Sequence, residues 1–166
     1  MSRVLVAGIG NIFLGDDGFG PEVVRRLAEE GAPPDGVRVV DYGIRGMHLA
    51  YDLLEDWDMV LLVDALPDRG APGDLEVLRL TGDHAREARL DSHAMDPAAV
   101  IASLAALGGQ LPLTFLVGAQ LHDVEERIGL STEATAVVAP AVAALQELLR
   151  RGPQLIAEAT NTEKVG

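Results

Sequence analysis

The stretch that decides the fold is Val4–Gly20, which reads Val-Leu-Val-Ala-Gly-Ile-Gly-Asn-Ile-Phe-Leu-Gly-Asp-Asp-Gly-Phe-Gly. Its first residues are apolar at successive positions, which is typical of a parallel strand covered on both faces, and they predict a strand over Arg3–Gly8. A helical pattern follows at Pro21–Glu30, with a proline in its first turn. In an open α/β sheet, the loop between such a strand and helix lies over the crevice where ligands bind.

This loop matches neither of the common phosphate-binding motifs. A dinucleotide fingerprint needs its third glycine where the chain has Phe13, and a P-loop ends in Gly-Lys-Ser/Thr, whereas this loop contains no Lys or Arg. It carries Asp16 and Asp17 instead, and these carboxylates would repel a phosphate. The pair suits a cation, a protonated group or a water, so nucleotide binding is not expected here.

The rest of the chain continues the alternation of strands and helices. The order predicts one α/β domain over residues 1–151, a three-layer sandwich with a mainly parallel twisted sheet and helices on both faces. Gly152-Pro153 is expected to end the last helix and to leave residues 152–166 as a flexible C-terminal tail. The further strands are predicted at Val37–Tyr42, Met59–Asp64, Asp74–Leu80 and Leu113–Gly118, and the further helices at Met47–Leu54, Pro97–Leu107 and Thr132–Arg150.

Composition excludes several classes of protein and site. The 166 residues include 13 basic and 26 acidic side chains, a net charge of −13 that disfavours binding to nucleic acid and to anionic membranes. Cysteine is absent, which removes disulfides, thiolate metal sites and a cysteine nucleophile. No window reaches the roughly 20 apolar residues that span a bilayer, and no leader pattern is visible. We therefore expect a cytoplasmic protein.

Two carboxylates and one imidazole are the candidate functional groups. Asp17 follows the first predicted strand and Asp64 ends the third, so both are expected at the carboxyl edge of the sheet. His93 precedes a helix whose expected cap is Asp96, with Pro97 at the first helical position. This donor set suits a first-row divalent ion such as zinc or nickel, and without metal it could perform general acid–base work.

Each of these residues also has a purely structural interpretation. Asp16 or Asp17 could cap the following helix, and Asp64 could bond to loop amides. His93 could be a hydrogen-bonded structural histidine, and the other three histidines are expected at the surface. Arg45, between two glycines after the second strand, could meet a carboxylate in the crevice or belong to an ordinary turn. The sequence leaves these alternatives open.

Five motifs in a fixed order resemble those of hydrogenase maturation proteases. They are Gly-Ile-Gly-Asn-x4-Asp-Asp-Gly-x-Gly-Pro at Gly8–Pro21, Asp-x-Gly-x-x-Gly at Asp41–Gly46, Val-Asp-Ala at Val63–Ala65, Ser-His at Ser92–His93 and Val-Gly at Val117–Gly118. The resemblance extends from Arg3 to about Arg151. It implies an endopeptidase that removes the C-terminal extension from the precursor of a nickel–iron hydrogenase large subunit after nickel insertion.

The resemblance also implies the site and its partner. Asp17, Asp64 and His93 would bind a divalent metal, expected to be nickel supplied by the substrate precursor. Catalysis would use either metal polarisation of the scissile carbonyl or its water, or a carboxylate as general base. We expect a monomer that meets the precursor transiently. The alternatives are a non-catalytic, metal-sensing chaperone of the large subunit and, more remotely, a small-ligand hydrolase or phosphorylase.

Overall fold

The computed structural model describes residues 2–87 and 96–165, so His93 lies outside the described residues. A five-stranded sheet has the order β2-β1-β3-β5-β4, in which every neighbouring pair is parallel except β4 with β5. Short 3₁₀ helices lie at Gly15–Gly18 and Gly82–Glu87. The strands are β1 Val4–Ile9, β2 Val37–Gly43, β3 Met59–Pro67, β4 Leu75–Leu80 and β5 Leu113–Leu121, and the helices are α1 Phe19–Glu29, α2 Gly46–Asp52, α3 Pro97–Ala106 and α4 Thr132–Val165.

Two apolar clusters cover the two faces of the sheet and confirm the three-layer arrangement. Along β3, Met59, Leu61 and Val63 pack in one cluster together with residues of α1 and α4. The intervening Val60 and Leu62 pack in the other cluster with residues of α2 and α3. This alternation is the period of two expected of a strand, and burial on both faces explains why the parallel strands are apolar throughout.

The strand order creates a topological switch point between β1 and β3. The chain passes from β1 through α1 to β2 on one side of β1, and then crosses to β3 on the other side. Because the chain leaves β1 towards one side of the sheet and reaches β3 on the other, the connecting segments diverge there and leave a crevice at the carboxyl ends of the strands. The first loop, which carries Asp17, begins where β1 ends.

Two glycines allow α1 to approach the sheet at this crevice. A Cβ on Gly20 would overlap the backbone oxygens of Ile9, the last residue of β1, and of Val63, in the middle of β3. A Cβ on Gly8 would lie 2.7 Å from the Gly20 oxygen and 2.6 Å from Val24 Cγ2. Because real Cβ contacts are not that short, the close packing of α1 on both strands requires glycine at these positions.

Two predicted boundaries were wrong. The third strand was expected to end at Asp64, but β3 runs on to Pro67 because it remains paired with β5. Gly152-Pro153 does not end α4, which continues to Val165. An interior proline costs about 3 kcal/mol in a helix, and Leu155 and Ile156, which pack partly buried against the α1/α4 cluster, offset that cost. The division into a 1–151 domain and a flexible 152–166 tail stays a prediction.

No helix within residues 2–87 and 96–165 combines the length and the apolar character needed to cross a membrane.

Candidate functional site

Asp64 is a buried carboxyl at the switch point. The pairing of β1 with β3 ends at Gly8 and Val63, one residue before it, while β3 and β5 remain paired beyond it. The side chain is only 5% exposed. By the alternation along β3, it points to the same side of the sheet as Leu62, towards the layer of α2 and α3.

Burial changes the acidity of this carboxyl. Removal from water, followed by the negative charge of Asp17 and a smaller effect of Asp96, raises the pKa of Asp64 well above its usual range. A hydrogen bond from the backbone N–H of Ala65 lowers the pKa, but it does not outweigh the other effects. Asp64 therefore holds a proton at pH values where ordinary carboxyls are ionised, and a cation placed beside it would favour its release.

Asp17 lies close enough to Asp64 for its negative charge to raise the pKa of the Asp64 carboxyl. It belongs to the 3₁₀ helix Gly15–Gly18, and its Oδ2 accepts a hydrogen bond of 2.8 Å from the backbone N–H of Asn11. This bond closes the loop between Gly10 and Asp17, and Gly10 has a φ of 144° that a side chain would rarely allow. Asp17 is only partly buried, so part of its side chain is accessible to solvent.

Asp16 has a different partner and a structural role. It is 1% exposed, and both of its oxygens accept hydrogen bonds of 2.7 Å from Ser131, one from the backbone N–H and one from the hydroxyl. The Ser131 hydroxyl in turn accepts a 3.1 Å bond from the N–H of Ala134 in the first turn of α4. Asp16 thus ties the first loop to the start of α4.

The alternative in which Asp16 or Asp17 caps the following helix does not hold for either residue. The residue before α1 is Gly18, and it makes no side-chain capping bond. Local spacing suggested the cap, but the contact that Asp16 makes is 115 residues away in the chain.

The loop between β5 and α4 supports the first loop from one side. The N–H groups of Gly15 and Asp16 donate to the oxygens of Arg127 and Asp123, at 2.8 and 2.7 Å. In return the N–H of Arg127 donates to the Phe13 oxygen at 3.0 Å. The sequence contains no signal for this contact, because its partners are backbone groups that leave no signature in the residue types. It holds the position of the 3₁₀ helix that carries Asp17.

The sequence indicated Asp96 only as a helix cap, but in the folded chain it also lies at the border of the site. The cap is confirmed: its Oδ1 accepts a 2.8 Å bond from Ala98 N–H, and Pro97 follows at the first position of α3. Its charge also raises the pKa of Asp64, so the start of α3 lies near the crevice. The one signal in the sequence that Asp96 belongs to the site was its position three residues after the candidate ligand His93, and His93 lies outside the described residues.

Arg45 does not bond to a carboxylate within the described residues. Its guanidinium donates to two backbone oxygens at the end of β2, those of Asp41 at 2.6 Å and Tyr42 at 3.1 Å. This is the ordinary-turn alternative. His48 and His122 are more than half exposed, as predicted for surface residues, while His84 is half-buried and accepts a 2.9 Å bond from the N–H of Thr81.

The site thus brings together two of the three predicted residues, Asp17 and Asp64, and adds Asp96 at its border. Within residues 2–87 and 96–165, no group of three or more His, Asp or Glu side chains is arranged to hold a metal ion. Two carboxylates in a partly dry crevice can bind a cation if a third donor is supplied, or can share a proton and act on a water. The site is acidic, which disfavours an anionic ligand.

Comparison with known proteins identifies relatives along most of the chain. The HycI family model, described as hydrogenase maturation protease, matches residues 21–148. The hydrogenase 2 maturation protease of Escherichia coli is 31% identical over 153 residues, which are 89% of this chain and 91% of that protein. A shorter match, 38% identical over 84 residues, is to coenzyme F420 hydrogenase subunit delta of Methanothermobacter thermautotrophicus and covers 48% of this chain and 53% of that one.

Solved structures agree in fold. The hydrogenase maturating endopeptidase HybD from Escherichia coli superimposes with a TM-score of 0.79 at 31% identity, over 90% of this chain and 93% of that one. A hydrogenase 2 maturation peptidase from a Thaumarchaeota archaeon gives a TM-score of 0.67 at 32% identity, over 89% and 98% of the two chains.

Proposed function

The chain belongs to the hydrogenase maturation protease family and is an endopeptidase of that family, and we propose that it removes the C-terminal extension from the precursor of a nickel–iron hydrogenase large subunit. In this proposal the enzyme acts after nickel insertion and recognises the metal through Asp17, Asp64 and His93. The observation that carries the proposal is the buried carboxyl of Asp64 beside Asp17 at the switch point.

The acidity of Asp64 supports recognition of a cation. A buried carboxyl next to another carboxylate is destabilised in its charged form, and a divalent ion relieves that repulsion more effectively than any neutral ligand. Oxygen donors from Asp17 and Asp64, with an imidazole nitrogen, form a set that first-row divalent ions accept. Nickel held in the precursor is such an ion, and it would arrive with the bond to be cut.

His93 is the proposed third donor. It precedes Asp96 by three residues, a length of extended chain that spans at most about 11 Å. Since the charge of Asp96 acts on Asp64, a side chain this close in sequence has the reach to meet the same ion. The site would then combine one carboxylate from the loop after β1 and one from within β3 with an imidazole that precedes α3.

Asp64 has two possible parts in the hydrolysis. When the nickel engages the site, it supplies Lewis-acid polarisation, and Asp64 acts as an anionic donor after losing its proton. Alternatively the metal only selects the substrate, and Asp64, whose pKa lies above the ordinary carboxyl range, takes a proton from the attacking water. Asp17 orients the ion or the water in either case, with its Oδ2 fixed by Asn11.

The test is an intact-mass assay on the nickel-loaded precursor of the large subunit. The wild type should convert the precursor into a shorter chain and one C-terminal peptide. Asp17→Asn, Asp64→Asn and His93→Ala should each reduce processing at least 100-fold, since each removes a donor to the ion. A matched control is Asp35→Asn, because Asp35 is an exposed carboxylate in the loop before β2, at the opposite edge of the sheet.

The possible results separate the readings. Normal processing by the three site variants would refute the assignment of the site. A wild type that forms a stable complex with the loaded precursor but never shortens it would favour the metal-sensing chaperone. A precursor without nickel that is cut at the same rate as the loaded one would refute recognition of the metal.

A further inference from the structure

A row of exposed apolar side chains follows α2 and the loop that precedes it. The row consists of Ile44, Met47, Tyr51 and Leu54, each between 45% and 63% exposed. Met47 and Tyr51 are four residues apart and share one face of α2, and Leu54 follows three residues later, just past the end of the helix. The segment therefore presents large apolar side chains to water as well as to the core.

The core does not account for this exposed row. The inward side of α2 already contributes Leu49, Ala50 and Leu53 to the α2/α3 cluster, and all three are buried. Single exposed hydrophobic residues are ordinary, but a contiguous group of them on a soluble protein marks an interaction site. Methionine and tyrosine are both enriched at protein interfaces, and tyrosine is frequently one of the few residues that supply most of the binding energy. The row thus has the composition of a docking surface.

The row begins beside the candidate site. A Cβ on Gly10 would overlap the backbone oxygen of Asp17, so the backbones of these two residues are in direct contact. The N–H of Gly10 donates a 3.0 Å hydrogen bond to the oxygen of Gly43, which immediately precedes Ile44. The helix α2 also belongs to the layer towards which Asp64 points. A protein that brings a metal ion to Asp17 and Asp64 would therefore contact the near end of the row.

The charges around the row are mainly negative. Residues 41–56 carry four carboxylates and one arginine. The guanidinium of that arginine, Arg45, is held against two backbone oxygens at the end of β2. Asp41 and Asp56 are exposed carboxylates, one before the row and one after it in the chain. Such a border favours a partner whose apolar face is edged by lysine or arginine, and it disfavours an anionic membrane.

We propose that the row of Ile44, Met47, Tyr51 and Leu54 is the surface on which the large-subunit precursor docks, through an apolar face edged by basic side chains beside its nickel. The inference rests on the proposed function, because a metal-carrying protein is the partner that reaches both the crevice and α2. The row holds the precursor in position and takes no part in bond cleavage. It therefore determines affinity and the choice among precursors, while the site residues meet the metal.

The test measures binding and processing separately, both with the nickel-loaded precursor. Ile44→Lys and Tyr51→Lys should each raise the Kd of the complex and the KM of processing about 10-fold, because a charged side chain replaces an apolar contact. A kcat within about twofold of the wild type would show that each variant is folded and that cleavage itself is unaffected. Tyr51→Phe should retain the wild-type Kd, because it keeps the aromatic ring. Val77→Lys is the matched control, since Val77 is 47% exposed on β4, at the opposite edge of the sheet from β2.

The results keep the docking surface and the proposed function separable. Wild-type Kd and KM values in both lysine variants would overturn the docking surface even if the wild type processes the precursor. An equal rise for Val77→Lys would show that added positive charge anywhere on the protein weakens binding, and would overturn it as well. A wild type that binds the precursor through the row but never shortens it would refute the proposed function and leave the docking surface in place.

Two further measurements identify the occupant of the row. In sedimentation equilibrium, a wild-type dimer that dissociates in Tyr51→Lys, without a change in KM, would assign the row to a second copy of this chain and overturn the proposal. The association rate constant with the precursor should fall several-fold between about 50 and 500 mM salt, because salt screens the attraction between opposite charges. A rate constant that rises with salt would show an acidic partner face and contradict the basic border.

Discussion

The adjacent residues Asp16 and Asp17 offer the sharpest test of the structure, because the same substitution should have opposite consequences at the two positions. Asp16→Ala removes two 2.7 Å hydrogen bonds from Ser131 to a carboxylate that is 1% exposed. Hydrogen bonds to charged groups contribute about 1.5–3 kcal/mol each, and a buried N–H left without a partner adds a penalty. The substitution also removes the cost of burying the carboxylate, which offsets part of this loss. We therefore expect Asp16→Ala to lower the free energy of unfolding by about 3–5 kcal/mol.

Asp17→Ala removes fewer stabilising contacts than Asp16→Ala. Asp17 is partly exposed and accepts one hydrogen bond of 2.8 Å, from Asn11. Its removal also relieves the repulsion of Asp64, whose pKa is raised by the charge of Asp17. We expect a loss of about 1 kcal/mol or less in the free energy of unfolding. Processing of the precursor, in contrast, should fall at least 100-fold.

Urea denaturation and thermal unfolding in the presence of a chelator measure the difference. A protein of this size loses about 2–4 °C in Tm per kcal/mol, so Asp16→Ala should unfold about 6–20 °C below the wild type. A double-mutant cycle with Ser131→Ala should give a coupling energy of about 1–2 kcal/mol. Equal losses of stability at the two positions, or a coupling energy near zero, would refute the assignment of Asp16 to the α4 anchor.

Two further predictions concern stability. Gly20→Ala should lower the free energy of unfolding by about 1–3 kcal/mol in urea denaturation, because the new Cβ meets the backbone oxygens of Ile9 and Val63, although alanine is the better helix former. Gly82→Ala is the control, because a Cβ there would meet nothing within 4 Å. Equal losses at the two positions would contradict the close approach of Gly20 to the sheet. Asp64→Asn should be more stable than the metal-free wild type at pH 7, because the pKa of Asp64 is raised on folding. The wild type loses this stability as the pH rises above the unfolded carboxyl pKa of about 3.9. The difference in the free energy of unfolding between Asp64→Asn and the wild type should therefore vanish towards pH 3. A difference that persisted at pH 3 would show that the raised pKa of Asp64 is not its cause.

Part of the fold and of the site follows from local sequence. Apolar residues at successive positions in Arg3–Gly8 predict a strand buried on both faces, and β1 is buried along its whole length. The pair Asp96-Pro97 predicts a capped helix start, which the bond from Ala98 confirms. The rule that ligands bind at the carboxyl ends of parallel strands was sufficient to bring Asp17 and Asp64 together.

Longer-range features were not accessible in this way. Asp64 looked like the end of a strand because its residue type changes there, yet β5 continues to pair with β3 up to Pro67. The helix was expected to end at Gly152-Pro153 because proline lacks an N–H, but packing of Leu155 and Ile156 against the core outweighs that local preference. In both cases a tertiary contact decided between two local alternatives.

By itself, the sequence determined the class of the fold, the edge of the sheet that carries the site and the chemical character of the loop, because these depend on periodicity, charge and strand direction. Only the tertiary structure decided which of two adjacent carboxylates faces the crevice. Asp16 and Asp17 are the same residue type, each between a glycine and the other aspartate, but Asp16 accepts its hydrogen bonds from Ser131, 115 residues away, whereas Asp17 accepts one from nearby Asn11. The acidity of Asp64 is decided in the same way, since burial and the nearby charge of Asp17 are properties of the folded chain.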